Sequence, residues 1–342
     1  MRNAMRGWIT AATLAGAALA GACAGPQAGG TSPPPGPAER AVLEKAIGVL
    51  QEQFTSNDPA ARANCVEAIQ PLNDPRSTAM IEAALHDPEW VVRFAGAMAA
   101  GRRKLQELQP ELEQMTQDAN GSVRVGAVFA LRRLGEPAAR HQQVVDAALS
   151  DRDPATRANA ALVLGLLGDR SAIGLLQSRA LETDQRVRLE ITAALARLGD
   201  ADAQRVIVAQ AMSKYGEDEW MAMDVCGDLP EQASAKPLLM GLEDAPAGTP
   251  AQDVPLTVIR QLVAARSLAR QGSIQGADIA VRHLADPEPE LRGLAALALG
   301  EILSPIGARQ RLAPLLDDPD PSVRRSAAAA VVKVFARDQR NR

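Results

Sequence analysis

One residue type returns at a near-fixed interval. Arg62, Arg93, Arg124, Arg157 and Arg188 follow one another at steps of 31, 31, 33 and 31 residues. Glu219 holds the next place, 31 further on; Gln261 follows after 42, and Arg292 and Arg324 close the series at steps of 31 and 32. That makes nine copies, seven with arginine in register. A period of this length marks a solenoid, in which each unit is one helix pair that buries its apolar face only against its neighbours. The expected fold is an all-α, right-handed α-solenoid of about nine antiparallel helix pairs, an open curved rod with helix A of each pair on the convex side and helix B on the concave side. The units run at about 38–72, 77–104, 105–135, 137–168, 171–199, 202–230, 234–272, 276–303 and 307–337.

The local chemistry supports the period. In Asp87-Pro88, Asp153-Pro154 and Asp320-Pro321, the aspartate is suited to cap the free N–H groups of a helix start, and proline fits the first helical position. The arginine after each turn lies near the aspartates of its own and adjacent loops. Arg62, Arg93, Arg124, Arg157, Arg188, Arg292 and Arg324 are therefore expected to form a structural ladder of bidentate pairs along one edge. After each arginine, alanine and leucine recur at three- and four-residue steps, as in Ala158, Ala161, Leu162 and Leu166, the stripe of a buried helix. Gly101, Gly165, Gly227 and Gly300 all stand eight places after the register residue. A glycine inside a helix lowers its propensity by about 0.5–1 kcal/mol, so these mark close approach of successive helices. Gly135, Gly168, Gly199 and Gly272 fall where a left-handed helix end is wanted.

The N-terminus reads differently. Residues 1–22 form an export segment, with Arg2 and Arg6 ahead of an uncharged run from Trp8 to Ala22. Leu19 to Cys23 resembles a bacterial lipoprotein lipobox, with Ala20 in place of the usual leucine. The resemblance implies that Cys23 becomes the lipidated N-terminus and anchors the protein in the cell envelope. With Ala24 next, it implies the outer membrane, facing the periplasm, where the host has two membranes. The alternative is a soluble secreted or periplasmic protein cut after Ala22. Residues 23–37, rich in Gly and Pro, read as a flexible tether.

Composition narrows function further. The 37 basic and 41 acidic residues nearly balance, and four Phe, three Trp and one Tyr supply no base-stacking surface, which argues against nucleic acid. His86, His141 and His283 lie too far apart in the repeat order to share a metal, and Cys65 and Cys226 are separated by about five repeats. No phosphate loop or nucleophile elbow is present. From this follow the expectations of no catalysis, no cofactor and no metal. Repeat six departs from the pattern, with an acidic, Met-containing stretch at 216–231, and a loop at 244–254 stretches the period beside it. Trp90, Trp220, Met221 and Asp224 are the candidate partner contacts, with packing as the alternative role for the tryptophans. Arg325, Lys333 and Arg337 are the outward polar residues expected of a terminal cap.

The pattern of Asp151–Gly168, repeated with departures at Asp184–Gly199 and Asp318–Phe335, resembles the short HEAT-repeat unit, the variety also found in phycobilin lyases. The resemblance implies the fold over roughly residues 38–337 and leaves function open. The expected role is a non-catalytic, monomeric scaffold that holds another protein on its concave face and meets the membrane through its N-terminal lipid. The alternatives are a structural or assembly factor of the envelope and a cofactor-handling or lyase-like protein.

Overall fold

A computed structural model describes residues 34–341 apart from 180, 214, 215, 251 and 252. The export segment and Cys23 lie outside the described residues, as does most of the tether.

The described residues form 18 α-helices, interspersed with short 3-10 turns. They alternate between an outer and an inner layer. The outer helices are α1 (Pro37–Phe54), α3 (Pro75–Leu85), α5 (Gln109–Met115), α7 (Gln142–Ala148), α9 (Ile173–Gln177), α11 (Ala201–Ala211), α13 (Glu231–Gly241), α15 (Ala277–Arg282) and α17 (Pro305–Arg311). The inner helices are α2 (Pro59–Ile69), α4 (Trp90–Arg103), α6 (Gly121–Arg133), α8 (Pro154–Leu167), α10 (Gln185–Arg197), α12 (Glu217–Cys226), α14 (Val254–Arg270), α16 (Pro289–Gly300) and α18 (Pro321–Arg340). The all-α solenoid of nine helix pairs is thus present.

Two kinds of turn residue start the inner helices. Four places before the register arginine, Asp58, Asp153, Asp184 and Asp320 cap the helix by accepting from its first backbone N–H groups. Six places before it, a second carboxylate holds the turn itself. Asp87, expected to cap, belongs to this second set. It accepts from the Glu89 N–H at 2.9 Å, and α4 starts at Trp90 with no side-chain cap.

Successive inner helices pack tightly because small residues face each other. A Cβ placed on Gly101 would lie 2.6 Å from the Cα of Ala130; on Gly165 or Gly300 it would lie 2.8 Å from the Cα of Ala194 or Ala330. Each of these glycines is the point where one inner helix rests on the backbone of the next.

The open rod is corrected by what happens at the ends. The last inner helix, α18, packs on both α1 and α2, so repeat nine meets repeat one as repeats meet elsewhere in the stack. The solenoid closes into a ring. Gln53 on α1 donates to the Pro321 carbonyl at 2.9 Å and accepts from Arg325 at 2.7 Å. Arg309 pairs with Glu39 at 2.9 Å, and Lys45 pairs with Asp317. The C-terminal cap expected of Arg325, Lys333 and Arg337 is replaced by these contacts. Arg325 crosses the seam, Lys333 bonds Glu301 at 2.5 Å, and Arg337 donates to the carbonyls that end α16. No apolar end is left to cover.

Closure also removes the concave groove. A helix on an open concave wall keeps one side in water, whereas one buried on all sides belongs to an interior. Every residue from Phe94 to Gly101 is buried, as is every residue from Val125 to Leu131 and from Ala160 to Leu166. The inner helices are covered by outer helices behind and by neighbours at the sides, and along these stretches the face towards the axis is buried as well.

Candidate functional site

The ring has three chemically distinct regions: an edge, an axis and an outer face.

The edge carries the arginine ladder. Arg93 shows the unit. Its Nε and Nη2 donate to Asp118 of the next repeat at 2.9 and 3.0 Å, while Nη1 donates to the carbonyls of Asp87 and Pro88, both at 2.9 Å. Arg62 takes Asp87, Arg157 takes Glu182 and Arg292 takes Asp318 by the same fork. Arg124 reaches Asp151 at 3.9 Å. Arg188 and Arg324 keep only the carbonyl bonds to their own turns, at 2.8–3.3 Å. For Arg188 the cause is in the sequence: Ser213 stands where the next carboxylate would be. Gln261 replaces the arginine of repeat seven in kind. Its Nε2 donates to the carbonyls of Leu242 and Glu243 and to Asp244 Oδ1, at 3.1–3.3 Å. The Arg157 fork, with the Asp184 N–H, holds the Glu182 carboxyl far below its usual range, at about 2. Where the fork is complete, at Arg62, Arg93, Arg157 and Arg292, the ladder clamps one turn to the next and its donors are taken by the protein's own acceptors.

The axis holds a set of charges that sequence reasoning missed. Nine places after the register residue stand Arg102, Arg133, Arg197, Asp228, Arg270, Glu301 and Lys333. In a ring these positions converge. Arg197 meets Asp228 at 3.1 Å, Arg270 meets Asp224 at 2.9 Å, and Arg266 and Lys333 share Glu301 at 3.6 and 2.5 Å. Arg197 is wholly buried and Asp228 is 5% exposed at the side chain. Arg102, of repeat two, lies within the charge field of Glu67 and of Asp228, of repeat six, which no open rod would bring together. Burial pushes the Lys333 ammonium below its ordinary range, against the pull of Glu301, and raises the Glu190 carboxyl despite Arg197 nearby. Groups this buried persist only as a mutually paired network, because each removed alone would strand its partner. The signal was available: seven charged residues in nine at one helical position of an otherwise apolar helix.

Along the same axis lies a cavity of about 120 Å³, walled by α2, α14, α16 and α18. Leu294, Leu297, Ala68 and Ala329 line its middle, with Arg325 and Glu290 towards one end.

The candidate partner contacts separate. Trp220 and Asp224 are 4% and 3% exposed, so neither is available at a surface; α12 is an inner helix, and Asp224 belongs to the axial network. Trp90 and Met221 are half-buried and pack against the core. The loop at 244–254 is largely exposed where described.

Exposed apolar residues stand on outer helices, as Val206, Leu239 and Met240 do, on turns, as Leu181, Met212 and Ile274 do, and at the start of α14, at Val254. Among the described residues eight large hydrophobic side chains stand in water, and seven of them lie between Leu181 and Ile274: these two, Val206, Met212, Leu239, Met240 and Val254. Val206, Met212, Leu239, Met240 and Val254 lie within the two repeats that lack the register arginine, and Leu181 and Ile274 stand on either side of them.

His141 bonds Glu136 at 2.6 Å and His283 bonds Asp286 at 2.8 Å, while Cys65 and Cys226 are free and buried. Among the described residues no three His, Cys, Asp or Glu gather at one point, and no helix is long and apolar enough to cross a membrane.

Comparison with known proteins agrees with this architecture. The family model described as HEAT repeats matches residues 43–132, 108–196, 142–219 and 258–333. No functionally curated protein matches the chain by sequence. Among solved structures, human deoxyhypusine hydroxylase in complex with glycerol is 18% identical, covering 88% of this chain and 99% of its own, with a TM-score of 0.35. The complex of CpcE and CpcF of phycocyanin lyase from Nostoc sp. PCC7120 is 17% identical, covering 76% and 98%, with a TM-score of 0.43. Kap121p is 14% identical, covering 86% of this chain and 37% of its own, with a TM-score of 0.33. These are likenesses of fold. They correct the expectation that the chain is not an enzyme: two of the similar structures are named for reactions, so this architecture gives no ground for excluding catalysis. The register, the ladder and a family match over most of the chain make this protein a member of the HEAT-repeat family.

Proposed function

We propose that this protein is a protein-binding scaffold of the cell envelope, tethered by a lipid on Cys23, and that it meets its partner on the outside of the ring. One observation carries the reading: the exposed apolar side chains gather between Leu181 and Ile274 instead of scattering around the ring. Single exposed hydrophobics are ordinary, but a concentration of them on one sector marks an interaction surface. The closed axis supports the outer face over the concave one originally expected, since a partner protein needs roughly 800 Å² of accessible surface on each side. The turn at 244–254 stands beside this sector and adds contacts that a regular repeat lacks.

The test is a photo-crosslinking amino acid at Met240 in the native envelope, with exposed Gln143, on the outer helix of repeat four and outside this sector, as the control. A discrete protein adduct from position 240 and none from 143 supports the reading. No adduct above background at 240 removes it. The anchor is tested separately: Cys23→Ser should release the protein from the membrane fraction, and unchanged retention overturns the lipid assignment.

A further inference from the structure

The axial cavity carries an inference independent of the outer face. Its volume of about 120 Å³ is several times the ~10–15 Å³ that one water occupies, so the space admits a small solute. Its chemistry is graded. Towards the C-terminal ends of the inner helices the wall contains Glu67, Arg266 and Lys333. These are spoken for: Lys333 and Arg266 pair with Glu301, and Glu67 lies in the field of Arg102. The middle is apolar, with Leu294, Leu297, Ala68 and Ala329.

The other end differs. Arg325 and Glu290 both line the cavity there, with the hydroxyls of Ser322 and Ser326 beside them. Arg325 donates to a neutral acceptor, Gln53 Oε1, and among the described residues it has no carboxylate partner. Glu290 has no ion-pair or hydrogen-bond partner among the described residues. Ser322, Arg325 and Ser326 are half-buried and the adjoining Pro321 is exposed, so solvent reaches the cavity at this end. A cavity that offers one uncompensated cation, one uncompensated anion and an apolar floor fits a ligand carrying the complementary set.

We propose that the axial cavity binds a small zwitterion, an α-amino acid with an aliphatic side chain. Its carboxylate accepts from Arg325 and the Ser326 hydroxyl, since the Ser322 hydroxyl already donates to Asp320 Oδ1 at 2.6 Å; its ammonium donates to Glu290, and its side chain lies among Leu294, Leu297 and Ala329. The walls come from repeats one, seven, eight and nine, so only the closed ring has the site.

The experiment is calorimetric titration of the full chain with leucine, and in parallel with 4-methylpentanoate, which lacks the ammonium, and 3-methylbutylamine, which lacks the carboxylate. Leucine should bind at one site per chain, and each truncated ligand should bind about tenfold more weakly, the loss of one charged hydrogen bond. Glu290→Gln should weaken leucine by a similar factor and leave 4-methylpentanoate unchanged. Arg325→Gln should do the reverse, sparing 3-methylbutylamine. Because Arg325 also crosses the seam, Glu290→Gln is the decisive variant; Glu290 supports nothing else. Absence of leucine binding at millimolar concentration overturns the proposal, as does leucine binding that Glu290→Gln leaves unchanged.

Discussion

Gln53 and Arg325 share a 2.7 Å hydrogen bond although 272 residues of sequence separate them. Gln53 returns a bond of its own to the Pro321 carbonyl at the start of the same helix. One amide thus fastens the first helix of the solenoid to the last. Nine units that each contact two neighbours would otherwise leave two ends. Here the ends satisfy each other, and the interior they enclose holds paired charge in place of a groove.

The close approach of inner helices predicts that Gly165→Ala is destabilising. Alanine gains about 0.5–1 kcal/mol of helix propensity. The added methyl meets the Ala194 Cα at 2.8 Å, however, and that is backbone that cannot turn aside. Overpacking of this kind costs about 1–3 kcal/mol, so the net effect should be a loss. Urea denaturation of the variant should show a lower midpoint; a higher one contradicts the contact.

Arg157 predicts a test of the ladder. Its fork takes Glu182 at 2.8 and 3.0 Å while Nη1 reaches the Asp151 carbonyl at 2.8 Å. Arg157→Ala strands a partly buried carboxylate and a turn carbonyl, a loss of about 2–3 kcal/mol. Arg157→Lys should recover little, because an ammonium cannot hold carboxylate and carbonyl in one plane. Thermal unfolding distinguishes the outcomes, and full rescue by lysine would mean that only charge matters.

Acid should weaken the edge. Glu182 titrates at about 2 in the folded ring against 4.5 for the free side chain, because Arg157 and the Asp184 N–H hold the charged form. Asp87, Asp118 and Asp318 are also lowered: burial opposes the charge, and the forks of Arg62, Arg93 and Arg292 with turn N–H groups outweigh it. A lowered folded value adds stability that is complete above the unfolded value and is lost as pH falls through the folded one. Stability should therefore decline between about pH 4.5 and pH 2. Arg157→Ala should flatten that decline, measured by denaturation at stepped pH.

The two buried cysteines give a probe of integrity. Burial pushes the thiols of Cys65 and Cys226 up to about 12, so neither forms thiolate near neutral pH. A thiol reagent at mildly alkaline pH should modify neither in the folded ring and both in denaturant. Rapid labelling of Cys65 without denaturant would show that repeat one does not stay closed.

The nine repeats were legible because each is written locally. A turn, an arginine and an alanine stripe recur, and every contact they imply lies one period away. Gln261 was legible for the same reason, and its bonds to Leu242 and Glu243 repeat the arginine's role. Ring closure was not legible, since it depends on a small rotation per repeat summed over nine units, and no single residue encodes that sum. The axial charges were visible only as a column at one position, and without closure that column reads as solvated helix ends. Trp220 and Asp224 were misplaced for the same reason. Rarity made them look like contacts, while the ring buries them.

Closure of the ring is the claim on which the axial network, the cavity and the choice of the outer face depend. Lys45 and Asp317 are exposed partners on opposite sides of the seam, and the buried native cysteines leave engineered sites there free for selective spin labelling. A pulsed electron–electron distance measurement between labels at these two positions should give one narrow population below about 25 Å. An open stack of helix pairs, at about 10 Å per unit, would separate the same positions by roughly 80 Å. A distribution centred beyond about 50 Å would contradict the ring.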